Sequence, residues 1–492
     1  MLSYILNKTK SYIEQMPKER RKKYGQFFTS PETAMFMSNL FNIPDNKYIK
    51  ILDPGAGSGI LSAALIETLQ NKNFENIELV CYENDDNILP LLKSNLDYIQ
   101  KSSQINLNYK IIEKNYITSQ ADNFNHLIFS ENSDDKYDLI IGNPPYLKVA
   151  KDAPEAIAMP QICYGAPNLY FLFAAMSLYN LKPNGELVYI IPRSWTSGAY
   201  FKQFRKYFLT FGSIEHLHIF ISRDKVFEEE HVLQETMIIK IKKTKEKSSK
   251  IIISTSISNS DFININSFSA KYEEIVIGND LYVFLPCNND ELSTIRRLQK
   301  FHYTLPAIGL KMKTGLTVDF RNRELLADTP NGDNVPIFYS RHIKNGSIIF
   351  PINKGGEFIA TNRSGLIQDN KNYLFIKRFT AKEEKRRLQC GIYLSSQFSK
   401  YKKISTQNKI NFIDSISGTL SEEIIYGLYV LFNSNTYDTY YRILNGSTQV
   451  NSTEINTIPV PDLDTIKRLG KNLKEINDYS ETTCEKILET FL

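Results

Sequence analysis

The sequence predicts a doubly wound α/β domain on a mostly parallel, seven-stranded sheet, followed by a mixed α+β domain. Three observations carry this expectation. From about Tyr48 to Lys243, short apolar runs alternate with helical patterns, the sequence form of a parallel sheet covered by helices. The first of those runs ends in a glycine-rich turn that opens a helix. Beyond the polar stretch 243–250, KTKEKSSK, the alternation stops, and short β-type runs lie among Gly, Asn and Asp turns.

The strands expected in the first domain are 49–52, 77–82, 108–112, 137–141, 187–191, 216–220 and 235–242. Each is a compact apolar run rich in Ile, Leu, Val and Tyr, as strands buried on both faces require. A helix is expected over 60–69. In the second half, β-type runs at 313–320 and 335–350 precede helical patterns at 420–433 and 463–492. The divisions that follow are a first domain over 1–243, a connecting segment over 244–280 and a second domain over 281–492.

A chain of 492 residues exceeds what one hydrophobic core usually serves, so more than one domain is expected. No apolar run approaches the roughly 20 residues that span a bilayer, and the first 23 residues lack a signal-like apolar stretch, so a cytoplasmic protein with no membrane contact is expected. The five cysteines are far apart, unlike a zinc site or a disulfide scaffold, and no metal is expected. Charge is segregated: residues 300–412 hold 20 Lys and Arg against 8 Asp and Glu, a net of +12, so the remainder of a chain of net +5 is −7. Such a segment suits a polyanion, although a solvated lysine-rich surface has the same composition.

Residues 48–59, YIKILDPGAGSG, run from a buried strand into a turn where Gly55, Gly57 and Gly59 let the backbone approach a ligand closely. Dinucleotide sites use a similar turn, but with G-x-G-x-x-G spacing and a pyrophosphate at the helix start. Here the spacing is G-x-G-x-G, and Asp53 at the strand end is expected to face the amino-acid part of a cofactor without pyrophosphate. Glu83, at the end of the next strand, is placed to bind ribose hydroxyls with its two oxygens.

After the strand YDLIIG stands Asn143-Pro144-Pro145-Tyr146. An amine conjugated to an aromatic ring is a weak nucleophile, because its lone pair is delocalised. The Asn143 side-chain oxygen and the Pro144 carbonyl can each accept one amine hydrogen, while two prolines fix the backbone that presents them. The ring of Tyr146 can stack on a base taken out of a duplex.

With these motifs in this order, the chain resembles the N6-adenine DNA methyltransferases of restriction-modification systems. The resemblance covers most of the chain and is specific over 23–242. It implies a Rossmann-like methyltransferase fold, S-adenosyl-L-methionine as cofactor, double-stranded DNA as partner, base flipping, and a C-terminal target recognition domain. Residues 24–31, YGQFFTSP, look like the family's opening motif, which assigns Tyr24 and Thr29 to the cofactor. Residues 168–173, NLYFLF, resemble the helix start whose aromatic, here Phe173, lies against the cofactor adenine. Phe227 matches an aromatic that packs on the second face of the flipped base. After the third strand the family usually has an aspartate for the adenine amine. This chain reads Glu113-Lys114-Asn115-Tyr116, where Asn115 offers a carbonyl oxygen for the same contact. Asn84, beside Glu83, is more polar than the residue common there.

Farther on, Lys313-Thr314-Gly315-Leu316-Thr317 and the stretch 446–451, GSTQVN, resemble the opening and closing landmarks of the recognition domain, with most of the basic excess between them. Asn-Pro-Pro-Tyr also serves enzymes that methylate RNA bases or a protein glutamine amide, but these do not generally carry a long basic domain after the catalytic core. A non-catalytic DNA-binding protein would be expected to lose one of the two motifs. The short segment before the opening motif leaves no room for a nuclease, so any cognate restriction endonuclease is expected to be a separate protein, and a monomer is expected.

Overall fold

The structure, a computed structural model, describes residues 1–15, 29–43, 46–70, 72, 74–126, 136–222, 235–259, 261–332, 334–381, 383–445 and 448–492. Tyr24 and Phe227 lie outside the described residues. The chain divides into two compact units, Met1–Asn288 and Asn289–Leu492.

The first unit is built on a nine-stranded sheet and also holds a two-stranded ladder between Val276–Ile277 and Tyr282–Val283. The strands of the large sheet are β1 (Tyr48–Pro54), β2 (Asn76–Tyr82), β3 (Asn106–Ile112), β4 (Tyr137–Gly142), β5 (Leu181–Pro192), β6 (Gly212–Phe220), β7 (Thr236–Lys243), β8 (Lys250–Ser256) and β9 (Asn266–Lys271). They lie in the order β3-β2-β1-β4-β5-β7-β6-β8-β9. All pairs from β3 to β5 are parallel, whereas β7 runs antiparallel between β5 and β6. The strand order reverses at β1 and β4, so the loops after these two strands diverge at their carboxyl ends and leave a crevice there, the usual ligand position in open α/β sheets.

All seven expected strands form, β5 and β6 beginning six and four residues before their expected starts. The count does not stop at seven. Strand β8 pairs parallel with β6, from His216 against Ile252 to Phe220 against Ser256, and β9 closes the edge antiparallel to β8. The expected connecting segment 244–280 therefore contributes two strands to this sheet. The polar stretch forms the turn between β7 and β8, its first and last lysines ending one strand and opening the next. The physical reason lies in Ile251 and Ile253, both fully buried: a strand with an apolar face lowers its free energy by adding to an open edge.

Two buried polar clusters lock the antiparallel part. Lys240 on β7 lies 3.1 Å from Glu186 on β5 and 3.1 Å from Glu215 on β6. On the next strands, Ser254 Oγ is 2.7 Å from His216 Nε2 and 2.8 Å from His218 Nδ1, while His218 Nε2 is 3.0 Å from Ser256 Oγ. Burial pushes His216 down to about 4 and His218 to about 3, so both rings are neutral at physiological pH.

The second unit holds a six-stranded and a five-stranded sheet with helices at Asn289–Leu298, Glu422–Asn433, Asn435–Leu444, Leu463–Ile476 and Glu481–Glu489. The expected helix 463–492 is two helices, broken where Asn477 takes φ +58. Both sequence landmarks meet in this unit through Asn411: Thr314 Oγ1 donates to Asn411 Oδ1 at 3.1 Å, and Asn411 Nδ2 donates to the Val450 carbonyl at 2.6 Å. Gly315 is required there, since a Cβ would stand 2.1 Å from the Gln407 carbonyl oxygen. Not all of the basic excess is surface. Arg386 and Arg387 are buried, Arg386 donating to the carbonyls of Phe432 and Ser434, whereas Lys311, Arg321, Arg323, Lys344, Arg363 and Lys409 are exposed.

Candidate functional site

The glycine turn after β1 is laced to the end of β2. Gly55, Gly57 and Gly59 have φ of +75, +54 and +80, a region that disfavours any side chain. The amides of Gly55 and Ala56 both donate to the Tyr82 carbonyl at 2.9 Å, and Gly57 N donates to Glu83 Oε2 at 2.9 Å. Glu83 Oε1 accepts from the amides of Asn84 (2.8 Å) and Asp85 (2.9 Å). Burial raises the Glu83 carboxyl against the opposing pull of these three bonds. The expectation that both oxygens serve ribose needs correction: a carboxylate offers about four acceptor positions, three are filled by backbone, and the one left is on Oε2.

Asp53 is also corrected. It does not line the pocket: it is 1 % exposed and lies behind the turn, where Oδ2 accepts from Ser62 Oγ at 2.6 Å and Oδ1 is buried with no hydrogen-bond partner among the described residues. Desolvation, with the nearby charge of Glu83 adding, pushes its carboxyl up to about 7. Gly59 likewise stands outside the lining. It caps the helix Ile60–Leu69, and a Cβ there would come within 3.1 Å of Leu92 Cδ1, so this glycine serves packing.

In front of the turn is a pocket of about 420 Å³. Of the residues expected to bind cofactor, Thr29, Gly55, Gly57, Glu83, Asn84, Asn115, Tyr116 and Phe173 line it. Asn143 and Pro145 line the same pocket, which brings the two sequence motifs to one place. Phe173 stands over Gly55, where a Cβ would lie 3.5 Å from its Cε1, and its ring centroid is 5.2 Å from that of buried Tyr116. Sequence reasoning missed the lining residues Asp85, Leu147, Glu155 and Leu169. Leu147 could have been inferred from its place directly after the tetrapeptide, whereas nothing in the sequence marks Glu155.

Asn115 is placed at the pocket but not as expected. Its Oδ1 accepts from the amides of Ile117 and Thr118, both at 3.0 Å, which fills both lone pairs and caps the turn that follows. That oxygen is therefore not available to an adenine amine. Its Nδ2 donates to Glu155 Oε1 at 2.8 Å.

Strand β4 ends at Gly142, where a Cβ would fall 2.6 Å from the Tyr189 ring, so the strand can lie this close to β5 only with glycine. Asn143 follows, its Nδ2 donating to Thr29 Oγ1 at 3.1 Å. Pro144 and Tyr146 are buried and do not line the pocket. The Tyr146 hydroxyl donates to the Ile190 carbonyl at 3.0 Å, and burial raises its pKa well above the usual value. The segment after the tetrapeptide is pinned to the helix that carries Phe173: Leu169 N donates to the Leu147 carbonyl and Val149 N to the Pro167 carbonyl, both at 2.8 Å, and Asn168 caps the helix Leu169–Asn180.

Pockets of ~300–1,000 Å³ take small ligands of cofactor size. Leu147, Leu169, Tyr116 and Phe173 supply apolar walls for a purine, and the acceptor left on Glu83 suits a hydroxyl. The buried Asp53 oxygen without a donor suits a nearby positive charge. These features fit S-adenosylmethionine, a purine nucleoside with a sulfonium and an amino-acid tail. A sheet of this order with this turn and pocket defines an S-adenosylmethionine-dependent methyltransferase.

Residues 71–227 match the Eco57I restriction-modification methylase family. The chain is 33% identical over 492 residues to the type II methyltransferase M.BsuBI of Bacillus subtilis, covering 96% of this chain and 95% of that protein. It is 32% identical over 481 residues to the type II methyltransferase M.PstI of Providencia stuartii, covering 96% and 93%. Among solved structures, the methyltransferase subunit of a type I restriction-modification system from Streptococcus thermophilus matches 56% of this chain and 53% of its own, with 15% identity and a TM-score of 0.37. The chain belongs to the type II methyltransferases of restriction-modification systems. Among the described residues, no helix is long and apolar enough to cross a membrane.

Proposed function

We propose that this DNA methyltransferase of a restriction-modification system methylates N6 of adenine, in a short double-stranded sequence, on a base flipped out of the duplex. The observation that carries the proposal is that Asn143 lines the same pocket as the glycine turn, with its amide nitrogen committed to Thr29. With the amide nitrogen turned to Thr29, the oxygen end is directed to accept an amine hydrogen. The Pro144 carbonyl takes the second hydrogen, and the two prolines hold the backbone that carries it. Drawing both hydrogens toward acceptors pulls the amine away from planarity and returns its lone pair to nitrogen.

S-adenosylmethionine, when bound, supplies an electrophilic methyl group on sulfur. Gly55, Glu83 and Phe173 orient it, and Tyr146 and Phe227 are the aromatics assigned to stack on the target base, Tyr146 from outside the cofactor pocket with its hydroxyl held by the Ile190 carbonyl. The second unit, with its exposed basic residues, holds and reads the duplex. Matching of whole-length relatives over both halves of the chain favours this reading over an RNA or glutamine substrate.

The test is to incubate the purified protein with S-adenosylmethionine labelled in the methyl group and with duplex DNA, then digest to nucleosides. Label in N6-methyladenine supports the proposal. Label in a cytosine, or in RNA or protein supplied instead, overturns it.

A further inference from the structure

The pocket contains a carboxylate that neither motif accounts for. Glu155 lies on the short helix Pro154–Ala158, half-buried, and lines the pocket beside Asn115 and Tyr116. Its Oε1 is held by Asn115 Nδ2 at 2.8 Å. The Asn115 oxygen, the acceptor that the sequence offers at this place, is filled by the amides of Ile117 and Thr118.

A purine in the apolar slot of Tyr116, Leu147, Leu169 and Phe173 presents its edge to the polar groups at the rim. Adenine carries one exocyclic donor on that edge, the N6 amine. An ionised carboxylate can only accept, and with one bond made to Asn115 it retains unused acceptor positions. The geometry points to Glu155 as the residue that reads the exocyclic amine of the cofactor's adenine, with Asn115 holding the carboxylate in place. This selects an adenine nucleoside over purines without a donor at that position. The inference rests on S-adenosylmethionine occupying this pocket.

The probes are S-adenosylhomocysteine and its counterpart with unsubstituted purine in place of adenine, titrated calorimetrically into the full-length protein. The quantity read is the ratio of their Kd values. The wild type should favour the adenine compound by about tenfold or more, the usual worth of a hydrogen bond to a charged acceptor. E155Q keeps the volume of the side chain, but its amide oxygen stays with Asn115 and its NH2 group then faces another amine. The ratio should fall to within about twofold of one, and E155A should do the same, with the purine compound bound nearly as by the wild type. An unchanged ratio in both variants, or an equal loss of both ligands, overturns the inference. Failure of the wild type to bind either compound would instead overturn the cofactor assignment.

Discussion

Asn143 and Thr29 are 114 residues apart in sequence and joined by a hydrogen bond of 3.1 Å from the asparagine amide to the threonine hydroxyl. The bond links the opening motif to the tetrapeptide and sets the orientation of the side chain that binds the target amine. Thr29→Val keeps the shape and removes the acceptor. Single-turnover methylation should slow by about tenfold or more, the scale of one lost hydrogen bond, with Kd for cofactor changed much less. Thr29→Ser should retain most of the rate. Equal rates for the valine variant and the wild type would remove Thr29 from the orientation of Asn143.

Cofactor affinity should depend on pH through Asp53. Its folded-state pKa of about 7 lies above the ordinary 3.8, so in the free protein the carboxyl is mostly protonated at pH 6 and mostly ionised at pH 8. A raised acid pKa contributes stability that is present below about pH 4 and lost as pH rises through 7. A cationic ligand favours the ionised form, so affinity should rise from pH 6 to 8, with a proton released on binding where the free carboxyl is still protonated. Calorimetry in buffers of different ionisation enthalpy measures that release. Asp53→Asn should flatten the dependence and stabilise the ligand-free protein at pH 8 by at most ~4 kcal/mol, at 1.36 kcal/mol per pKa unit. A flat profile in the wild type would exclude this linkage.

The paired histidines make the first unit sensitive to acid. Both have pKa values depressed below 6.5, to about 4 for His216 and about 3 for His218, so their contribution is full above 6.5 and is lost as pH falls toward 3. His218→Gln should lower stability at pH 7, because it disturbs the bonds to Ser254 and Ser256, and should lose less on acidification than the wild type. Denaturant unfolding at pH 7 and 5 reads both effects. Equal loss in the two proteins would assign the acid sensitivity to other groups.

The two added strands change where the chain can be cut. Deletion after Lys250 removes nearly all of β8 and β9 and leaves the β6 edge unpaired, so that fragment should aggregate. A fragment of residues 1–288 retains the whole sheet. It should bind S-adenosylmethionine and lose site-specific methylation. Methylation of the same short sequence by this fragment would show that recognition does not need the second unit.

The strands of the first unit were legible because each carries a cluster of Ile, Leu, Val or aromatic residues between turn signals, although β3, NLNYKII, is only partly buried, and the glycine turn and tetrapeptide were legible because each is contiguous. Strand β8 was missed because KIIISTS follows a lysine-rich stretch that reads as a linker, and its pairing with β6 cannot be read locally. The Asn115 cap was in principle readable, since an asparagine two and three residues ahead of amides that need acceptors is a common turn device. What it displaces, the expected contact to adenine, depends on Glu155, 40 residues on. Asp53 and Gly59 illustrate the converse: both belong to a recognisable motif, yet one supports the turn from behind and the other packs against Leu92.

The most direct test of adenine N6 methylation is to sequence, with detection of modified bases, DNA from cells expressing the wild type or Asn143→Ala. The wild type should place N6-methyladenine at one adenine of one short sequence throughout the genome. Asn143→Ala should place none, while the purified variant binds cofactor within about twofold of the wild type, because Asn143 acts on the target amine. Methylcytosine in place of methyladenine, or undiminished adenine methylation by Asn143→Ala, would contradict it.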